Sequence, residues 1–308
     1  MIGIKDQAFG LELEFSGITR AKAAEAIGMV INGSPDNAYL GGVYYKYVVT
    51  GPDGRKWTVE RDSSVISIGN GDQCEFVTPK CSYDDIPVVQ ECIRALRRAG
   101  AKVNESCGIH IHVDGDNHNA KSLKNLAFTF RAKEDLIFKS VGTQQSRLAR
   151  WCKPINDDLI DNIKKIKKLD NNSLREAWYN SYAPYSDQGA HYNPSRYHAL
   201  NFHSLWYRGT VEFRLFESTL HAGKVRAYIT FCLALSAYAI NAKRASATVL
   251  ADNGGNDKYE FRCLLLRLGL IGDEFKNCRD HLLKNLSGNA AWRNNPNSYE
   301  SYNSRHSA

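Results

Sequence analysis

No apolar run in this 308-residue sequence approaches membrane-spanning length, and no basic-then-apolar segment opens it. These two absences lead us to expect a soluble, cytoplasmic protein. No unit repeats along the chain, which excludes solenoids and propellers. The eight cysteines (Cys74, Cys81, Cys92, Cys107, Cys152, Cys232, Cys263 and Cys278) never form the close pair that marks a zinc site. Several fall inside apolar helical patterns, as Cys232 does in residues 228–235, so they read as reduced thiols serving as small hydrophobes. Charge of neither sign dominates. At 24% charged residues the chain is near the average, so it is not a disordered protein, and a net +7 is only mildly basic. The lysines concentrate in residues 163–169, whose pattern is that of a solvated helix face. Charge alone therefore makes no case for nucleic acid. The length suits one large domain or two small ones, with enough apolar content to bury a core.

What is there is a pattern used three times: Phe9-Gly-Leu-Glu-Leu-Glu-Phe15, Cys107-Gly-Ile-His-Ile-His-Val-Asp114 and Thr210-Val-Glu-Phe-Arg-Leu-Phe216. In each, the residues able to do chemistry stand two apart: Glu12 and Glu14, His110 and His112, Glu212 and Arg214. A strand sends alternate side chains to opposite faces, so each pair shares a face with stems roughly 6–7 Å apart. The intervening Leu11, Leu13, Phe15, Ile109, Ile111, Val113, Val211, Phe213 and Leu215 form a second, apolar face suited to packing on a core.

The rest of the chain places these strands. Thr19 should cap a helix through residues 21–27 that ends near Gly33. A hairpin follows, with strands at 42–49 and 56–60 around a Gly51-Pro-Asp-Gly54 turn, and leads directly into Arg61-Asp-Ser-Ser64. Residues 65–74 read as a loop, Cys74–Pro79 as a strand stopped by its proline, and residues from Asp84 or Asp85 to Gly100 as a capped amphipathic helix. A helical block at about 119–182 interrupts the strands, with helices at 120–141, 156–169 and 173–179. Strands resume at 196–203 and 209–216, followed by an apolar helix over 223–243 and helices near 257–268 and 272–285. We read residues 1–285 as one catalytic domain and the polar stretch 286–308 as a disordered tail.

Carboxylates facing one another across a sheet repel unless they protonate or a cation lies between them. Taken singly, Glu12 and Glu14 could be the wet face of an edge strand, and His-x-His occurs in zinc enzymes and by chance. Repetition on further strands favours a shared site. Zinc hydrolysis would prefer more histidines, whereas the excess of glutamates favours Mg2+ or Mn2+ holding a nucleotide. Arg214 offers a planar fork for phosphoryl oxygens, or alternatively a structural ion pair with Glu212.

The ordered set Gly10-Leu-Glu-Leu-Glu14, Asp62-Ser-Ser64, Glu75-Phe-Val-Thr-Pro79, Gly108-Ile-His-Ile-His112 and Glu212-Phe-Arg214 resembles the amidoligase family. That family is a branch of the carboxylate–amine ligase superfamily that contains glutamine synthetase and glutamate–cysteine ligase. The resemblance covers about residues 8–245. It implies an α+β fold in which a curved, mostly antiparallel sheet forms an open funnel like the glutamine synthetase catalytic fold, with helices on its outer face and an inserted helical region. It further implies Glu12, Glu14, Glu75, His110 and Glu212 as ligands of two or three Mg2+ or Mn2+ ions. His112 and Arg214 would meet the phosphates of ATP, and Asp62 would bind and deprotonate the incoming amine. Arg196, heading its strand, would meet a substrate carboxylate or phosphate. The chain has no evident counterpart of the adenine-binding and ammonia-channel segments of glutamine synthetase, and the helices at 119–182 match nothing in the pattern.

The activity so implied is ATP-dependent formation of an amide bond between a small-molecule or peptide carboxylate and an amine, with neither nucleic acid nor membrane as partner. Two enzymatic alternatives use the same residues: an ATP:guanidino phosphotransferase, and a metal-dependent hydrolase built on His110 and His112. A nucleic-acid or peptide-binding module that has lost catalysis is a third.

Overall fold

The computed structural model describes residues 1–33, 39–249 and 256–292. Alternation of polar and apolar residues produces eight strands: β1 (Phe9–Phe15), β2 (Tyr39–Gly41), β3 (Lys46–Thr50), β4 (Lys56–Glu60), β5 (Cys74–Val77), β6 (Gly108–Asp114), β7 (Leu200–Asn201) and β8 (Thr210–Glu217). They form one open sheet in the order β2-β3-β4-β5-β1-β6-β8-β7, antiparallel at every pairing. The three motif strands β1, β6 and β8 are adjacent at its centre although roughly a hundred residues separate each from the next.

Ten helices accompany the sheet among the described residues: α1 (Arg20–Ile31), α2 (Ile86–Arg98), α3 (Ala120–Val141), α4 (Gln145–Arg150), α5 (Asp157–Lys165), α6 (Asn171–Tyr182), α7 (His203–Arg208), α8 (Ala222–Asn241), α9 (Asp257–Arg267) and α10 (Lys276–Leu283). Their ends follow from local chemistry. The Thr19 hydroxyl accepts from the Lys22 amide at the start of α1, and Asn32 closes that helix in a left-handed conformation at φ 51°. Asn119 caps α3, and Gly142 closes it at φ 77°. Helices α1, α2, α8 and α3 lie side by side, and α8, apolar almost all round, is buried between its neighbours.

The nine apolar residues that alternate with the motif pairs are each at most 1% exposed. Burying side chains of this size is worth about 1.5–3 kcal/mol apiece. One detail departs from simple alternation. Ile111 pairs with Phe213 but Ile109 pairs with Phe216, so β8 carries a bulge at residues 214–215. Phe216 consequently takes the next place on the core face after Phe213, and stacks on Tyr228 of α8 with centroids 4.3 Å apart. The cysteines are free, all but Cys263 buried, and burial pushes thiols such as Cys74, Cys81 and Cys92 up to about 12. They pack as inert small hydrophobes.

Two expectations need correction. Residues 42–45 form a turn with Tyr45 at φ 46°, so the first hairpin strand begins only at Lys46 and a short β2 precedes it. More important, 196–203 is not a strand. Pro194–Arg196 make a single 3-10 turn, because Pro194 presets φ and the Asn193 side chain accepts from the Ser195 amide. Only Leu200–Asn201 pair with β8, and α7 begins at His203. The expected disordered tail lies mostly outside the described residues. No helix among those described is long and apolar enough to cross a membrane.

Candidate active site

The polar face of the sheet is a grid of ionisable side chains whose positions follow from register. Glu75 stands opposite Glu14 on one side and Glu60 on the other, His110 opposite Glu12, and His112 opposite Glu212, which in turn faces Asn201. Directly opposed residues on one face of an antiparallel pair approach to about 4.5–5.5 Å at Cβ, close enough for their tips to share a ligand. Glu14, Glu75, His110, His112, Glu212 and Arg214 are all less than a tenth exposed.

Contacts within the grid are close. His110 Nδ1 lies 3.0 Å from Glu12 Oε2 and 3.7 Å from Glu212 Oε1, while its Nε2 is 3.8 Å from Glu14 Oε1. His112 Nε2 is 3.4 Å from Glu12 Oε1 and 3.9 Å from Glu212 Oε1. The Arg214 guanidinium donates to Glu212 Oε1 at 2.5 Å, and Asn201 donates to Glu212 Oε2 at 2.6 Å. The Gly108 amide donates to Glu14 Oε2 at 2.6 Å. Three overlapping groups emerge, each with its potential ligand atoms within 4.8 Å of one another: Glu12, His112 and Glu212; Glu12, Glu75 and His110; Glu14, Asp62 and Glu75.

Does this donor set fit divalent cations? Oxygen predominates, as Mg2+ and Mn2+ require. His112 Nε2 is buried without a hydrogen-bond partner among the described residues, yet points at the two carboxylates of its group. Its other nitrogen, Nδ1, meets the Thr210 hydroxyl at 2.9 Å, an arrangement that orients a ligating imidazole. The set fits.

The protonation pattern splits the site in two. Burial opposes ionisation of Glu12 and Glu212, but the histidines hold Glu12 well below the usual carboxylate range, and Arg214 with the histidines holds Glu212 at about 2. Burial pushes Glu14 up to about 8, reinforced by the charge of Asp62 and opposed by the Gly108 amide and by Arg147. Glu75 stands well above the carboxylate range because it is buried and faces Glu12, Asp62 and Glu14. Burial and then Arg214 bring His110 down to about 4. For His112, burial is outweighed by Glu12 and Glu212, which raise it.

A cation at Glu14 and Glu75 must therefore displace protons. The stability that a neutral Glu14 contributes is complete below the unfolded value of 4.5 and is lost as pH rises through about 8. A divalent cation replaces the missing proton. We expect Mg2+ to raise the melting temperature clearly more at about pH 8.5 than at about pH 6, in thermal melts with and without the ion. An equal shift at both pH values would contradict the assignment. Glu134 of α3, also pushed up to about 8 by burial, lies outside the three groups and cancels in the difference.

Every residue singled out in the sequence except Arg196 belongs to the grid or, in the case of Asp62, to one of its cation groups. Asp62 follows β4 in the loop, its carboxylate accepting from the Ser64 amide at 2.7 Å. Arg196 lies in the 3-10 turn rather than on a strand. It lines the same cavity, but donates to the His191 carbonyl at 3.1 Å and stands over the rings of Tyr192 and Tyr197. Three participants escaped the sequence reading. Asn201 orients Glu212, Arg208 at the end of α7 donates to Glu12 Oε1 at 3.1 Å, and Arg147 of α4 lies beside Gly108. Arg147 and Arg208 stand in no alternating polar pair, and Asn201, two residues from His203 in the segment expected as a strand, was not singled out. The grid opens into a cavity of about 790 Å³ whose lining carries both signs of charge, Glu12, Glu14, Glu60, Asp62 and Glu75 together with Arg147, Arg196, Arg208 and Arg214.

A protein-family model described as "Putative amidoligase enzyme" matches residues 5–236. No curated protein matches the chain. The matched span runs from ahead of β1 into α8 and contains every residue of the grid. The chain belongs to the amidoligase family.

Proposed function

We propose that this protein is an ATP-dependent carboxylate–amine ligase. The observation that carries the reading is the convergence of three overlapping acid and imidazole groups, drawn from four strands and a loop, beside a cavity that Glu12, Glu14, Asp62, Glu75 and His110 line together with Arg147, Arg208 and Arg214. A sheet that opens its polar face to such a cavity is compatible with a funnel of the glutamine synthetase type built by residues 1–285.

Glu12, Glu14, Glu75, His110 and Glu212, with His112, would hold two or three Mg2+ or Mn2+ ions, which neutralise charge on phosphoryl oxygens. In the first half-reaction an oxygen of the acid substrate attacks the γ-phosphorus of ATP, the bond to the bridging oxygen breaks, and ADP leaves. Arg214, fixed by Glu212, presents its fork to the migrating phosphoryl group in a buried setting where charge stabilisation is strong. In the second half-reaction the amine attacks the acyl carbon and inorganic phosphate departs. The amine arrives protonated at neutral pH and cannot attack in that form. Asp62, on the cavity rim beside two buried carboxylates, attracts the ammonium and takes its proton.

The hydrolase alternative is the weaker one on this geometry, because both imidazoles are embedded among carboxylates instead of forming a histidine-rich zinc set. The test is ADP release with ATP, Mg2+ and pools of carboxylates and amines. Release that depends jointly on both co-substrates is the expected result. Release that requires an amine but no carboxylate would favour a phosphotransferase, and turnover without nucleotide a hydrolase.

A further inference from the structure

Two tyrosines far apart in the chain meet across the polar face of the sheet. The hydroxyls of Tyr44 and Tyr192 lie 3.0 Å apart although 148 residues separate them. Tyr44 sits in the turn between β2 and β3, at one edge of the sheet, and Tyr192 precedes β7, at the other. Strands spaced about 4.8 Å apart would hold the edges of a flat sheet of this size on the order of 30 Å from each other. The contact therefore bridges the face on which the grid stands, and both rings line the cavity there.

The two sides of the bridge are held differently. Residues 184–193 are tied down at several points. The Tyr179 hydroxyl donates to the Gln188 carbonyl at 3.2 Å, and the Asn193 side-chain amide donates to the Asp187 carbonyl at 2.8 Å. Arg208, which also donates to Glu12, meets His191 Nε2 at 3.0 Å. Tyr192 thus stands on a loop anchored to the grid itself. The turn 42–45 is of another kind. Gly42 is at φ 73° and Tyr45 at φ 46°, a conformation that residues with a side chain rarely hold, and Val43 is 83% exposed. A strained, exposed turn is the side able to swing, and Tyr44 fastens it to the loop.

We propose that Tyr44 and Tyr192 are specificity-determining residues that act as a size filter over the site. The bridge admits a carboxylate that is free or carried on the end of a flexible chain, and it excludes one displayed on the surface of a folded protein. This rests on the ligase reading for the nature of the substrate, but not for the barrier itself.

Thiol labelling of the full chain tests the barrier without any turnover. Val77 stands two residues from Glu75 on β5, shares its face and lines the cavity, so V77C places a thiol beneath the bridge. The native thiols are buried except Cys263, which C263S removes. The probes are N-ethylmaleimide and the same maleimide mounted on a small folded carrier protein, each rate being divided by that with glutathione. The carrier reacts only through molecules whose bridge is open, a minor population, so it is expected to label V77C about tenfold or more slowly than N-ethylmaleimide. Replacing both tyrosines by alanine should remove the difference. Y44F and Y192F, which keep the rings but lose the hydrogen bond, should each speed the carrier about two- to tenfold. Equal labelling by both probes with the tyrosines in place, or a carrier still excluded from the double alanine variant, overturns the proposal. Should V77C fail to fold or to react with N-ethylmaleimide, T58C on β4, in the same cavity, takes its place. Titration of wild type with ATP and Mg2+ separates the two ideas. No nucleotide binding, with the barrier intact, would sink the ligase reading and leave the filter standing; nucleotide binding without the barrier would do the reverse.

Discussion

Glu12→Gln is expected to abolish Mg2+-dependent ATP binding while leaving the fold intact. Glu12, like Glu75, is common to two of the three ligand groups, and it contributes one oxygen to each side: Oε2 toward His110 and Oε1 toward His112. Glutamine keeps the volume and the hydrogen bonds but removes the charge that both groups need. Losing residues that merely orient a ligand lowers metal affinity by roughly 10–100-fold, and losing the ligand itself in two groups should exceed that. Stability should change little, since the substitution also removes a charge that raises Glu75. Isothermal titration with ATP at fixed Mg2+, beside a thermal melt, measures both. Wild-type affinity in a folded E12Q protein would remove Glu12 from the site.

Arg214 gives the second large effect, and here two substitutions separate structure from chemistry. Arg214→Met leaves Glu212 with Asn201 as its remaining direct hydrogen-bond donor, in a setting where Glu212 is 3% exposed. Removing one partner of a buried pair typically costs about 3–5 kcal/mol because the other charge stays behind uncompensated. A divalent cation at Glu12, His112 and Glu212 can replace that lost positive charge. We therefore expect Mg2+ to restore more stability to R214M than it adds to wild type, as read from urea unfolding with and without the ion. Arg214→Lys keeps a charge and should fold, yet lose on the order of 10²–10³ in turnover, because an ammonium cannot fork across phosphoryl oxygens. Turnover near wild type in R214K would reduce Arg214 to a structural partner of Glu212.

Strand parity explains why so much of this site is readable before any coordinates exist. Glu12 and Glu14, His110 and His112, and Glu212 and Arg214 share a face because they stand two apart, and the covered residues between them force that face outward. The pairing of β1 with β6 and of β6 with β8 then brings the pairs together without further specification. What escaped is what parity does not govern. The bulge at residues 214–215 has no marker residue, so Phe216 was not expected on the core face. Residues 196–203 carry strand-like alternation, but Asn193 and Pro194 bend the chain into a turn first, and this moves Arg196 off the sheet. Arg147 and Arg208 reach the site from helices α4 and α7, where their local surroundings resemble ordinary basic helix surface. Only tertiary packing aims them inward. Gly108 is intermediate: it is visible as part of a motif, but its purpose is clear only beside the guanidinium that lies on it.

The central claim is that these side chains are a polynuclear cation site, and anomalous diffraction from crystals soaked in Mn2+ addresses it most directly. The account predicts anomalous peaks among Glu12, Glu75 and His110, and among Glu12, His112 and Glu212, with a third near Glu14, Asp62 and Glu75 unless an amine takes that place. Crystals that bind Mn2+ elsewhere, or not at all, with the carboxylates of the grid still facing one another, would contradict it.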